Sequence, residues 1–485
     1  MAPQSMLDMK NSFLGMADID WDGSTPRLIE YRAPQKRDDS QPSLNSLGNE
    51  LIVIIFDIIS TESPKSMKNL ALVSSHYYHV ARYCQHREIC LDISKKNKER
   101  LQERLAYIVK SGLSSAVRRI NVRGHEYGEN VDAVVQLLQK TTGLKDLEWF
   151  NNGPPVSSIG VPEQVIAALR PMKLVRLYTN LEQDIARPRR PTPKFITPLQ
   201  TTGSDNLYSL RMCLTFHEDD GIIKMTRILK QILLSSPNVR KLAIDLGARR
   251  RGRTLIPARR YLGLGFVNGE RPPALEELEL QNYLFGRAKE PGETGSFEGS
   301  FGYPGKGWEE DYWVETFDWS RLRKLRTKDW NLALKLAPKL ISLDEASFGQ
   351  DRAWSKFPEF YRAVPNALST LVFPKLASLG VERIVAHASK LKVLHIHQEQ
   401  FRLWGVPYNW AEDAIDAPSL LKIQQECPVI EELALDINRQ GDWPYDIFDI
   451  LAGFPKLRSL TIWFELYSDA LLQFVQPPLT YFAVE

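Results

Sequence analysis

Few residues of this chain stand at spacings that could do chemistry. His395 and His397 alternate in Leu391-Lys-Val-Leu394-His-Ile396-His, so a strand would put both imidazoles on one face, where they could ligate a metal. No third ligand is evident, and the competing reading is two solvent-facing strand residues, so no metal ligand is assigned. The four cysteines, Cys84, Cys90, Cys213 and Cys427, form no CxxC pair and argue against structural zinc and a disulfide framework alike. Gly263-Leu-Gly265-Phe-Val-Asn-Gly269 has Asn268 where a dinucleotide fingerprint needs glycine. Gly305-Lys306 lacks both the upstream glycine and the following Ser/Thr of a phosphate loop. There is no G-x-S-x-G and no H-E-x-x-H, so no catalytic residue and no cofactor are expected.

Two further groups carry two readings each. Arg249, Arg250, Arg251, Arg253, Arg259 and Arg260 could form a nuclear-localisation or anion-binding patch, or a solvated loop. The tryptophans between 308 and 330 could form a recognition surface or pack an inserted loop onto the rest of the protein.

The elements that must position such residues follow from composition and pattern. The 485 residues give a prior of about three domains. With 62 basic against 59 acidic residues the net charge is +3, which gives no global case for nucleic acid or an anionic membrane. The N-terminus lacks the pattern of a secretory signal, and the longest apolar run, Leu51 to Ile59, is too short to span a bilayer. A reducing location, cytoplasm or nucleus, is expected. Residues 1–43 show no apolar periodicity and read as a disordered tail.

Residues 44–93 read as a small helical module. The run Leu51-Ile-Val-Ile-Ile-Phe-Asp-Ile-Ile59 is apolar nearly all round, so as a helix it needs a cover on more than one side. Ser63-Pro64 reads as the start of a second helix, and Ser74 or Ser75 as the cap of a third.

From there to residue 485 a unit recurs: an apolar helical stretch, a turn, then L-x-x-L-x-L. Leu275-Glu-Glu-Leu278-Glu-Leu280 is the clearest copy; others begin at Val239, Leu391, Ile430 and Leu457, with weaker ones at Leu144, Leu174 and Leu322. The spacing is irregular and exceeds the roughly 20–29 residues of regular leucine-rich repeats in places, which requires insertions, read at 247–273 and 286–313. The competing reading is an ordinary α/β domain. An irregular leucine-rich-repeat-like α/β solenoid is expected, with parallel strands alternating with helices. Period two then turns the leucines inward and leaves a solvent-facing concave stripe of Ala243, Asp245, Glu279, Gln281, His395, His397, Ala434, Asp436, Thr461 and Trp463. Leu479-Thr-Tyr-Phe-Ala-Val-Glu485 looks like the middle of a strand, whereas a terminal repeat normally needs a polar cap.

Leu47, Glu50-Leu51, Ile54-Ile55 and Ile59, followed by Leu70-Ala-Leu-Val-Ser74 and Tyr77, resemble the F-box. Arg87-Glu-Ile89-Cys-Leu91-Asp92 resembles the stretch that follows it in fungal members. Gly48 replaces the usual proline and Ser75 the usual basic residue. The resemblance implies a three-helix module that docks a Skp-type adaptor of a cullin-RING ubiquitin ligase, with the repeats binding the substrate. Carried onto this chain, it implies that Leu47, Glu50, Leu51, Ile54, Ile55, Leu72, Val73, Ser74 and Tyr77 form the adaptor interface or its immediate core. Within the stripe, Asp245, Glu279, Gln281, His395, His397, Asp436 and Trp463 become the candidate substrate surface. A non-catalytic substrate receptor is the first expectation. A scaffold outside the ubiquitin system is the second, and an α/β enzyme with its site in the inserted loops the third.

Overall fold

The computed structural model describes residues 47–124, 130–150, 160–184, 197–216, 219–250, 253–254, 261, 263–267, 269–283, 285–288, 306–348, 356–373, 376–397, 414–438, 443–464, 467–468 and 473–474. The expected disordered tail, 1–43, lies outside them. The chain divides into two compact units, Met1–Ser66 and Met67–Glu485. The division falls inside the stretch that sequence reasoning assigned to one helical module.

In the first unit the apolar run is a helix, Asn49–Glu62, with Gly48 at its N-cap and no side-chain cap. Ile52 and Phe56, one helical turn apart, are buried. The helix Pro64–Ala71 begins on proline, whose missing N–H costs nothing at a first helical position. In the second unit the helix Ser75–Gln85 is capped by Ser74, whose Oγ accepts the Tyr77 amide at 3.1 Å. It buries Tyr77, Val80, Ala81 and Cys84, the i, i+3, i+4, i+7 face that sequence spacing predicts.

The rest of the second unit is a leucine-rich-repeat-like α/β solenoid. Its strands are β1 (Glu88–Asp92), β2 (Arg119–Arg123), β3 (Asp146–Phe150), β4 (Arg176–Asp184), β5 (Leu207–Phe216), β6 (Lys241–Arg250), β7 (Arg253–Thr254), β8 (Glu277–Gln281), β9 (Lys324–Thr327), β10 (Glu345–Phe348), β11 (Thr370–Phe373), β12 (Val393–Ile396), β13 (Glu432–Ile437) and β14 (Ser459–Phe464). Among the described residues they make one 14-stranded sheet in sequence order. All pair parallel except β7, which folds back antiparallel on β6. Parallel neighbours need a crossover, and helices such as Lys98–Lys110, Asn130–Lys140, Ala417–Glu426 and Tyr445–Ala452 supply it.

The leucines of the motif stack in register: Leu242 on Leu278, Leu278 on Leu325, Leu371 on Leu394, Leu394 on Leu433. Leu242 and Leu278 are at 1% exposure and the other four at 0%. With the apolar faces of the helices they form one continuous core from Ile89 to Phe454. Because β1 belongs to this sheet, Glu88–Asp92 is the first rung of the repeat array rather than a trailing part of the helical module.

The inserted segments are more ordered than expected where they are described. Strand β6 runs on through Arg250, and the helix Glu309–Thr316 begins inside the second one. Glu309 is fully buried there, its Oε1 accepting the Gly263 amide at 2.9 Å and the Tyr283 hydroxyl at 2.7 Å. The Tyr312 hydroxyl accepts the Phe266 amide at 2.9 Å, so this helix pins residues 263–266 in place. Trp313, Trp319 and Trp330 are buried, and Trp313 stacks on Phe317 at 4.9 Å, so packing is the reading that holds for these tryptophans.

Candidate functional site

The two candidate surfaces are built by different elements. In the first unit, Leu51 (51%), Ile54 (54%) and Ile58 (57%) are exposed. The i, i+3, i+7 spacing sets them on one side of the helix Asn49–Glu62, away from Ile52 and Phe56. Glu50 is also exposed, while Leu47 and Ile55 are half-buried. Ile58 was missed by sequence reasoning, although it stands four residues after Ile54 and completes the same stripe. In the second unit, Leu72 (85%) and Val73 (62%) are exposed in the turn before Ser74. Ser74 is half-buried as the helix cap, and Tyr77 is in the core. Tyr78, 47% exposed, is the aromatic that faces outward beside it, and it too was missed.

The second surface is the sheet face opposite the motif leucines. Strand register brings Asp245 beside Gln281, and Ala243 beside Glu279. The Asn282 amide donates to Asp245 Oδ1 at 2.7 Å, and Gln281 Nε2 donates to Glu279. Near the other end, register aligns His395, Ala434 and Thr461, and Asp436 with Trp463. His395 Nε2 meets Glu432 Oε1 at 2.8 Å, and His397 Nδ1 meets Asp436 Oδ1 at 2.6 Å. The His397 ring stacks on Trp463 at 3.7 Å and 12°. The candidate residues therefore form two clusters, one on β6 and β8 and one on β12 to β14. Four inter-strand steps separate β8 from β12, about 19 Å at the usual spacing.

The expectation of a solvent-facing stripe fails at two of its positions. Asp436 is 3% exposed and Ala434 1%. At Asp436 the physical cause is the imidazole of His397, which its carboxylate holds. Among the described residues no group of three or more His, Cys, Asp or Glu is placed to hold a metal ion. Burial pushes the Cys84 and Cys427 thiols up to about 11, so neither ionises to a nucleophile at neutral pH.

Sequence reasoning also missed a charge pattern beside this face. In four successive motifs, those of β6, β8, β9 and β10, the two residues between the first two apolar positions alternate in sign from strand to strand: Arg240-Lys241, Glu276-Glu277, Arg323-Lys324, Asp344-Glu345. They pair across the sheet, with Lys241 to Glu277 at 2.7 Å, Arg323 to Asp344 at 2.7 Å and Lys324 to Glu345 at 3.0 Å. The first strands add Asp146 between Arg119 at 3.6 Å and Arg176 at 2.7 Å. The face thus offers many hydrogen-bonding groups in locally balanced pairs, which suits selective protein recognition better than attraction of a polyanion. Of the arginine cluster, Arg249 and Arg250 lie in β6 and Arg253 in β7, while Arg251, Arg259 and Arg260 lie outside the described residues. No helix among the described residues is long and apolar enough to cross a membrane.

No family model matches the chain, and neither does any curated protein. Among solved structures, the leucine-rich-repeat protein LegL7 of Legionella pneumophila aligns at TM-score 0.30 and 10% identity, over 80% of this chain and 93% of that one. A Bacteroides fragilis protein aligns at 0.27 and 12%, over 83% and 79%. A chain from the yeast Rad7 and Elc1 complex aligns at 0.29 and 14%, over 83% and 94%. At such scores these likenesses carry no argument about function, and the repeat architecture rests on the strand order and register of the chain itself.

Proposed function

We propose that this chain is the substrate-recognition subunit of an F-box cullin-RING ubiquitin ligase, acting in the cytoplasm or the nucleus. The N-terminal helices dock the Skp-type adaptor and the repeat sheet holds a protein for ubiquitination. The observation that carries this reading is the open stripe of Leu51, Ile54 and Ile58 on a helix that already buries Ile52 and Phe56. A helix apolar on two sides needs a second cover, and exposed apolar patches of this kind mark protein contacts. Exposed Leu72 and Val73 ask for the same. The chain itself needs no catalytic residue, since tethering raises the effective concentration of substrate near the ligase.

Full burial of one such side chain contributes about 1.5–3 kcal/mol, or tenfold and more in affinity. Ile54→Asp and Leu51→Asp are therefore expected to abolish co-purification of adaptor and cullin. Because about half of each side chain is already exposed to water in the free chain, the melting temperature should fall much less than for a core substitution such as Phe56→Asp. Retained adaptor in a folded Ile54→Asp variant would refute the assignment. The second reading, an interaction scaffold outside the ubiquitin system, is favoured by Gly48 and Ser75, where the family motif has proline and a basic residue. Under it, the wild-type chain would capture partners without adaptor or cullin.

A further inference from the structure

Along the middle of the sheet, cations pair with carboxylates from rung to rung. The first end of the array departs from this. Residues 67–123 hold 12 Lys and Arg against 4 Asp and Glu, a net +8 in a chain whose total is +3. Two tyrosines organise part of this charge. The helix Ser75–Gln85 and its cap set Arg82 and His86 one turn apart, with His86 Nδ1 at 2.8 Å from the Arg82 carbonyl. The helix Lys98–Lys110 brings Tyr107 to both. Arg82 Nη2 donates to the Tyr107 hydroxyl at 2.5 Å, its guanidinium carbon lies 5.3 Å from the ring centre, and the His86 ring lies 6.3 Å away. Arg104, one turn before Tyr107, donates to the Cys90 carbonyl of β1 at 2.8 Å. Around Tyr83, the Arg87 guanidinium lies 5.7 Å from the ring centre, and Arg118 Nη2 donates to the hydroxyl at 3.1 Å.

Hydroxyls and carbonyls hold Arg82, Arg104 and Arg118, and none of the three forms an ion pair with a carboxylate among the described residues. Their charge is fixed in place and left uncompensated. Burial chiefly lowers the pKa of His86 and of Arg87, and neighbouring charges lower both further, Arg82 and Arg104 for the first and Arg118 for the second. We propose that this island of Arg82, His86, Arg87, Arg104 and Arg118 is a further docking surface, which takes an acidic polypeptide segment of a partner protein. None of its residues belongs to the apolar stripe or to the sheet-face clusters, so it does not depend on the ligase reading. Arginines ordered before binding lose little side-chain freedom when a carboxylate arrives, and each planar fork can hold it by two hydrogen bonds. A nucleic acid fits less well. Its backbone needs a continuous cationic track, whereas Glu99 and Glu103 stand exposed on the helix of Arg104, and Glu88 and Asp92 are exposed on β1.

Fluorescence anisotropy on the full chain tests this with two probes of equal charge, a labelled oligoglutamate peptide and a single-stranded DNA of mixed sequence. The peptide should bind more tightly, and its affinity should fall as salt rises. Arg82→Gln with Arg104→Glu should weaken peptide binding by about tenfold or more. Arg104 is exposed, so Arg104→Glu alone keeps the fold and should show part of that loss. Lys456→Gln with Arg458→Glu removes the same charge from two exposed residues beside the last rung, and should leave binding nearly unchanged. A peptide carrying photo-reactive benzoylphenylalanine should crosslink within residues 75–118. Equal weakening by both pairs of substitutions would reduce the effect to net charge and overturn the proposal. So would crosslinks confined to other residues, tighter binding of the DNA, or no binding of the peptide.

Discussion

His387 is 5% exposed, and its Nδ1 accepts the Leu368 amide at 3.1 Å. The Tyr361 ring meets it edge-on, centroids 5.9 Å apart. An acceptor nitrogen in an apolar setting must be unprotonated, and burial accordingly holds this imidazole below its ordinary pKa. The sign for stability follows. Above the ordinary value, near 6.5, folded and unfolded chains are both neutral at this residue. As pH falls below it, the unfolded chain takes up a proton that the fold refuses, so stability drops. His86 is also lowered, first by burial, and acts in the same direction. The urea midpoint should therefore fall between about pH 7.5 and 5.5. His387→Gln keeps an acceptor for the Leu368 amide and cannot titrate, so its midpoint should fall less over the same interval. An equal fall would place the pH response elsewhere.

At the scale of the strand, the leucines set the inward face and the charges between them fix which neighbour fits. Glu345 shows the device: it lies between Lys324 at 3.0 Å and Arg326 at 3.1 Å, and its side chain is 14% exposed. Burial alone would raise its pKa, but hydrogen bonds from Lys324 and Arg326 bring it below the ordinary value. Each opposed pair contributes about 0.2–1 kcal/mol, and like charges in the same place cost a similar amount. Glu345→Lys, which puts three cations side by side, should destabilise the chain by about 1–2 kcal/mol in urea melts. Adding Lys324→Glu should recover part of that loss, and no recovery would mean that the ladder is decorative. The strand motif was legible wherever leucine fills it, as in β8 and β12. It was hidden in β10, where Ala346 takes the central place, and in β11, where Phe373 ends it. The candidate stripe was legible as a parity: alternate residues do face away from the leucines. Its exposure was not, because spacing does not tell which residue a neighbouring strand covers. Asp436 looked like a surface charge and is a buried partner of His397. In the same way, the apolar run of the first helix announced a missing cover but left Ile58 unnoticed, since exposure belongs to the folded helix and not to the list of its residues.

Across the repeat unit, part of the near-balance of charge takes on a physical meaning: cations and anions on adjacent rungs pair, as Lys241 with Glu277, Arg323 with Asp344 and Lys324 with Glu345. A sheet assembled in strict sequence order gives each rung contacts with its two neighbours, so its stability is close to a sum of local terms. A core deletion should then loosen a neighbourhood rather than the whole array. Leu371 is the place to ask, because it is fully buried between Ala346 on β10 and Leu394 on β12. The small Ala346 has no side chain that could swing into a gap, so Leu371→Ala should cost roughly 2–5 kcal/mol with little relaxation. Amide exchange should quicken by about tenfold or more in β10, β11 and β12 while β1, β2 and β3 keep their wild-type rates. Uniform quickening across all six strands would mean that the sheet opens as one cooperative body. Local opening would let one rung rearrange while distant rungs stay closed.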